Sequence, residues 1–350
     1  MSLPSTYRAY RRTSGSRPLT IIPSIETLQS LSLSQVLIKI HAVSLNFRDI
    51  GMLDGRYPIS SQERGIPCSD CAGEVAAVGT DVKRFRIGDR VSPCFNIGDL
   101  FGKERDGVSR TLGADVGVLG EYAVFEEEEI VRVSALLSWE EAAIIPCCGV
   151  TAWNALNRPK TGSVQPDTTA LLQGTGGVSM FALQICLAAG ITPIITSSQD
   201  EKLEAIEREF GVGVKGINYR TSANMIEDLR LLTDGKGVDI VVNNTGPASL
   251  MQELQCLRQK HGTISLVGFL EDKKADWDPN AMLGLMIKCA RIQGIRVGSK
   301  SDFEELICFL EEKNIRLESI VYRTFEFDDA PAAFEYLAQG KHVGKIVIRV

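Results

Sequence analysis

Apolar and polar residues follow two different rhythms along this chain. Between residues 20 and 135, short alternating segments recur, such as Val36-Leu37-Ile38-Lys39-Ile40 and Glu74-Val75-Ala76-Ala77-Val78. Turn residues separate them, as in Gly79-Thr80-Asp81 and Ile87-Gly88-Asp89-Arg90. A period of two with turns between predicts a β-rich region. The stretch from Asn96 to Gly120 is rich in glycine with little periodicity, and reads as a long surface loop. The texture changes near residue 150, where continuous apolar runs begin to alternate with helical patterns. Strands are predicted over 169–173, 193–196, 214–218, 238–242, 263–267 and 291–295. Helices are predicted over 177–189, 200–210, 222–233, 248–260 and 280–288. This alternation predicts a doubly wound parallel sheet of the Rossmann type. A mixed tail ends in the strand Lys345-Ile346-Val347-Ile348. The expected fold class is α/β, with a Rossmann domain over 152–290 inserted into a β-rich domain made of 1–151 and 291–350.

Composition narrows the function classes. A length of 350 residues allows two domains, and a net charge of -6 without a lysine/arginine cluster argues against a nucleic-acid partner. Tyr10-Arg11-Arg12 reads as a solvated segment. No apolar run approaches the roughly 18 residues of a membrane span, and the first residues lack the apolar centre of a signal peptide. A cytoplasmic chain with a small-molecule substrate is expected. The nine cysteines are scattered and odd in number, as for buried, reduced thiols. Cys68-Ser69-Asp70-Cys71 has C-x-x-C spacing, but no second pair accompanies it to complete a zinc site, so both are read as free thiols. The histidines His41, His261 and His342 show no metal-binding spacing.

The strongest motif is Gly174-Thr175-Gly176-Gly177-Val178-Ser179, which follows the first predicted parallel strand and opens a helix. That context makes a glycine motif informative. Gly174 suits a tight turn, and Gly176 lets backbone approach a pyrophosphate. The helix N-terminus offers unpaired N–H groups and a partial positive charge. The third fingerprint position is Ser179, small enough for helix–strand packing. These features point to a dinucleotide. The second strand ends in Thr196-Ser197-Ser198, where an NAD site would carry Asp or Glu for the ribose hydroxyl. Ser197 and Ser198 leave room for a 2′-phosphate, and Lys202 lies one turn into the next helix. NADP(H) is therefore the expected cofactor, provided that Asp200 and Glu201 point elsewhere.

Several segments together resemble the medium-chain dehydrogenase/reductase superfamily, and within it the zinc-free quinone-reductase and enoyl-reductase branch. They are Asn46-Phe47-Arg48-Asp49, Ala72-Gly73-Glu74-Val75 through Gly79, Phe85-Arg86-Ile87-Gly88-Asp89-Arg90-Val91, Ile145-Pro146 with Thr151-Ala152-Trp153, Ile217-Asn218-Tyr219-Arg220, and Gly340-Lys341-His342-Val343-Gly344-Lys345-Ile346-Val347. The resemblance covers nearly the whole chain. It implies a GroES-like catalytic domain beside the Rossmann domain, with an active site in the cleft between them. It adds Tyr219 to Ser198 and Lys202 as a 2′-phosphate contact, and places Thr151 near the nicotinamide. Val267-Gly268-Phe269 and Gly294-Ile295-Arg296-Val297 are expected to line the cofactor cleft. Asn244-Thr245-Gly246 is expected to face the adenosine half. A homodimer joined at the edge of the Rossmann sheet is also implied.

Zinc-dependent members hold their metal with cysteine, histidine and cysteine. The matching positions here are Asn46, Ser69 and a position at or next to Cys147, a poor ligand set. Without a Lewis acid, alcohol oxidation loses its means of lowering the hydroxyl pKa. Reduction of an activated C=C bond in an enone, enoyl or quinone substrate demands less. It needs a hydride, donors for the developing oxyanion, and a proton. Tyr57 resembles the proton-donating tyrosine of related enoyl reductases, and is otherwise a packing aromatic. Asn46 is a candidate donor to the substrate carbonyl or the nicotinamide ribose. Asp49 and Asp70 are expected to hold the architecture of the emptied metal site. The alternatives are a zinc-independent carbonyl reductase or alcohol dehydrogenase, and a cofactor-binding relative without redox activity.

Overall fold

The computed structural model describes residues 3–105, 110–114, 116–160, 164–270 and 274–350. The chain divides into two compact units, one of 1–150 with 297–350 and the other of 151–296. The strand Arg291–Gly294 pairs in parallel with Thr263–Leu266. The inserted unit therefore continues to residue 296 and does not close at 290, which corrects the expected boundary.

The first unit is built on a seven-stranded sheet. Its order runs Val321–Glu326, Lys345–Arg349, Gln35–Ser44, Asp70–Val78, Arg90–Pro93 and Ile130–Arg132, with Tyr122–Glu126 pairing onto Gln35–Ser44. Alternation buries one apolar set, with Val36, Ile38, Ile40, Val75, Val91, Ile130, Ile346 and Ile348 in one core. Two expectations fail here. Residues around Tyr10-Arg11-Arg12 form the strand Thr6–Arg12, antiparallel to Ile21–Thr27. Arg12 is buried, and its guanidinium donates to the Gly113 carbonyl. The stretch from 96 to 120 is a surface loop only in part: Asn96–Ile97 pairs with Arg110–Thr111, and Leu112, Val118 and Leu119 are buried in the core. Glycine here serves close packing. A Cβ at Gly117 would lie 1.8 Å from the Ile66 carbonyl oxygen. Residues 106–109 and 115 of that stretch lie outside the described residues.

The second unit is a six-stranded, all-parallel sheet. Its order is Lys215–Asn218, Thr192–Ser197, Thr169–Leu172, Ile240–Asn243, Thr263–Leu266 and Arg291–Gly294. The sequence runs outward from Thr169–Leu172 in one direction, then returns to its other side. The topological switch point therefore lies between Thr169–Leu172 and Ile240–Asn243, where open α/β sheets receive ligands. Ala170, Leu171 and Leu172 are fully buried, as expected for a central strand covered on both faces.

Candidate functional site

In the inserted unit, the glycine loop leaves the central strand and enters the helix Gly177–Ala189. Gly174 has φ +76°, the left-handed region where glycine carries no Cβ penalty. A Cβ on Gly174 or on Gly176 would meet nothing within 4 Å, so open space lies over the loop. That space, with the helix N-terminus beneath it, fits a pyrophosphate. Thr175, within the loop, is buried.

The loop's root is held from several sides. Gly174 N donates to Thr196 Oγ1 (3.1 Å), and Ser179 Oγ donates to the Gln173 carbonyl (2.7 Å). Asn244 Nδ2 donates to the same carbonyl (3.0 Å) and to Ser179 Oγ (3.0 Å). Ser179 is thus more than a small residue, because its hydroxyl locks helix to strand. Asn244 has both amide protons engaged within the chain, so its donors are not offered to an adenosine. Thr245 Oγ1 likewise bonds Gln173 Oε1 (2.9 Å) and Ser249 Oγ (2.7 Å). The Val267-Gly268-Phe269 segment packs directly on the Asn244-Thr245-Gly246 turn. A Cβ at Gly268 would lie 2.6 Å from the Asn244 carbonyl oxygen, and Phe269 is partly exposed.

The 2′-phosphate candidates lie at the carboxyl end of the neighbouring strands. Ser197 and Asn218 stand opposite each other, and Tyr219 N donates to the Ser197 carbonyl (3.1 Å). Ser198 follows the strand end, Lys202 lies in the first turn of Asp200–Phe210, and Tyr219 is half exposed. Ser197 is buried and accepts from Gln199 N (3.1 Å), which leaves Ser198 the more accessible hydroxyl. Asp200 Oδ1 accepts from Asn218 Nδ2 (2.8 Å), so this carboxylate is tied to its neighbour.

In the first unit, Asn46 begins the short helix Phe47–Asp54, and Asp49 reaches back to Asn46 N (2.8 Å). Leu45 N donates to the Ile346 carbonyl (3.0 Å), which sets Asn46 beside the closing strand. Lys345 Nζ donates to the Leu45 carbonyl (2.5 Å) and to Asn46 Oδ1 (2.7 Å). Asn46 Nδ2 donates to Asp70 Oδ2 (2.9 Å) and Ser69 Oγ (3.3 Å). Lys345 Nζ stands 3.8 Å from Asp70, and both residues are buried. Burial raises the Asp70 pKa to about 6, opposed by the Lys345 charge and the Asn46 hydrogen bond. Burial also raises Asp49, opposed chiefly by Arg48. Cys147 lies in a wide π-type turn, Ile145–Gly149, and burial pushes its thiol well up. The same cause raises Cys68 and Cys71, so the C-x-x-C segment carries inert thiols. The residues at the zinc positions do not fit a metal. The donor set is a carboxamide, a hydroxyl and a disfavoured thiolate, and an ammonium already bonds the carboxamide oxygen. The sequence missed Lys345 as a site residue. Its place on an apolar closing strand is the one signal that could have flagged it.

Tyr57 follows the other end of the Asn46 helix. Tyr57 N donates to the Gly51 carbonyl (3.1 Å), and the Arg48 guanidinium carbon lies 5.1 Å from its ring centre. Arg48 also stands 4.7 Å from the Phe95 ring centre and donates to the Leu112 carbonyl (2.5 Å). Thr151 is buried in the helix Val150–Ala155 and opens the second unit. Val297, with φ +61°, opens the returning part of the first unit.

Comparison with known proteins now gives this architecture its class. Residues 32–135 match the alcohol dehydrogenase GroES-like domain family, and 177–312 match the zinc-binding dehydrogenase family. The chain belongs to the medium-chain dehydrogenase/reductase superfamily of oxidoreductases, whose members bind nicotinamide cofactors. It is 37% identical to a zinc-type alcohol dehydrogenase-like protein of Schizosaccharomyces pombe, over 93% of both chains. A candidate alcohol dehydrogenase from Sinorhizobium meliloti superposes with a TM-score of 0.88 at 31% identity, over 100% of both chains. A quinone oxidoreductase from Coxiella burnetii superposes with a TM-score of 0.74 at 25% identity, over 99% of both.

Proposed function

We propose that the chain is an NADPH-dependent reductase of activated C=C bonds, acting on an enone, enoyl or quinone substrate without a metal. The observation that carries this reading is the Lys345–Asn46–Asp70 cluster, built around Asn46, which the family resemblance sets at the first zinc-ligand position. The bound nicotinamide supplies the hydride. Gly174 to Val178 hold its pyrophosphate, with Gly174 turning the chain and Gly176 giving backbone access. Ser198, Lys202 and Tyr219 receive the 2′-phosphate, which Lys202 neutralises and Tyr219 covers. Tyr57 delivers the proton after hydride addition, its ring held by Arg48. Asn46 keeps the second lone pair of its Oδ1 but no spare amide proton, so it orients neighbours and does not stabilise an oxyanion. The likeness to a quinone oxidoreductase supports the substrate class.

A carbonyl reductase working without zinc is the second reading, favoured by the alcohol-dehydrogenase names of two relatives. A homodimer would pair the open edge of Arg291–Gly294, near exposed Leu283, Met286 and Ile287. The test is NADPH oxidation by the purified chain across quinones, enones and aldehydes. Turnover with quinones or enones is expected. Turnover confined to aldehydes would select the second reading, and none across the panel would leave only cofactor binding.

A further inference from the structure

Behind the glycine loop lies a carboxylate whose hydrogen bonds, among the described residues, come from neutral donors. Glu253, in the helix Leu250–Cys256, is fully buried. Its Oε1 accepts from Gln173 Nε2 (2.6 Å), Ser249 Oγ (2.6 Å) and Asn243 Nδ2 (2.6 Å), and Asn243 Nδ2 is also 2.8 Å from Oε2. Gln173 immediately precedes Gly174. With its amide protons directed to Glu253, Gln173 turns Oε1 to accept from Thr245 Oγ1 (2.9 Å), Asn244 N (3.1 Å) and Thr245 N (3.3 Å). One carboxylate thereby joins the loops that follow the strands Thr169–Leu172 and Ile240–Asn243. Those loops flank the switch point of the sheet, the crevice where this topology receives a ligand.

Burying a carboxylate among neutral donors is unfavourable. Desolvation raises the Glu253 pKa, opposed by its bonds to Ser249, Asn243 and Gln173. A neutral side chain of the same volume would fill the space without that cost. What it would not supply is an acceptor for donors from two loops and a helix turn at once.

We propose that Glu253 is a positioning residue for the dinucleotide. Through Gln173 and Asn243 it sets the separation of the two crevice loops before the cofactor arrives, and it touches no cofactor itself. This rests on the reading of the glycine loop as a nucleotide site. Preorganisation of this kind raises affinity by removing an ordering cost from the binding step.

The test uses the full chain carrying Glu253→Gln, which keeps the volume but turns one acceptor into a donor facing donors. Affinities for NADPH and NADH are measured by calorimetry, with circular dichroism, the thermal midpoint and kcat at saturating NADPH alongside. The expected result is a loss of about ten-fold or more in affinity for whichever nucleotides the wild type binds, by the same factor for each, from an unsatisfied buried donor. The kcat at saturation should stay within about two-fold, since the chemistry is untouched. Gln173→Leu should reproduce the loss, and the double variant should add little, as for two members of one network. If Glu253→Gln does not fold, Gln173→Leu carries the test. Unchanged affinity in a folded variant, or a lowered thermal midpoint alone, would overturn the proposal. A wild-type chain that binds neither nucleotide would overturn the nucleotide reading and this proposal with it.

Discussion

Lys345 Nζ donates to Asn46 Oδ1 at 2.7 Å, joining the closing strand to the residue that the family resemblance sets at the first zinc-ligand position. The ammonium also faces Asp70 at 3.8 Å in a buried setting. Removing one partner of a buried ion pair leaves an uncompensated charge. With its pKa already at about 6, Asp70 can take up a proton when the ammonium goes. Lys345→Met should therefore lower stability by about 1–3 kcal/mol in urea denaturation at neutral pH, mainly from the Leu45 and Asn46 acceptors it leaves unpaired. Adding Asp70→Asn to it should recover part of that loss. A single variant as stable as the wild type would show that the cation contributes nothing.

The 2′-phosphate assignment predicts a selective effect. Lys202→Ala should raise the Michaelis constant for NADPH by about ten-fold or more, the worth of a charge-assisted hydrogen bond, and leave that for NADH nearly unchanged. Equal effects on the two nucleotides would remove Lys202 from the site.

Tyr57 is held by a cation–π contact with Arg48, an arrangement that suits either a proton donor or a packing aromatic. Tyr57→Phe keeps the ring and removes the hydroxyl. Turnover should fall by about 100-fold if the hydroxyl gives the proton. Full turnover would assign the residue to packing.

The parallel-sheet unit was legible because its signals are local and periodic. The helices predicted over 177–189 and 200–210 coincide with Gly177–Ala189 and Asp200–Phe210. The strand–glycine–helix context located the loop for the same reason. The N-terminal strand was not legible, because Arg12 reads as solvent-facing until its partner, the Gly113 carbonyl, is known. The 96–120 stretch misled because glycines that permit close packing look like glycines of a free loop. Glu253 and Lys345 escaped for one physical reason. A lone charge in sequence is a surface residue by default, and only tertiary partners reveal it as buried.

Asp70 gives a pH signature. Its pKa is about 6 in the fold, against roughly 3.9 in an unfolded chain. The folded state thus holds the proton more tightly, and stability falls as pH rises from about 4 to about 6, then levels. The loss is bounded above by about 3 kcal/mol, from the size of the shift. Asp70→Asn should lack this slope when the two chains are compared by denaturation across that range. Parallel curves would show that Asp70 titrates normally.

Hydride transfer from NADPH without a metal is tested by NADPH oxidation with an enone or quinone, using chain treated with a strong zinc chelator, before and after zinc is returned. Turnover unchanged throughout is the expected result. Loss of turnover on chelation, restored by one equivalent of zinc, would contradict it.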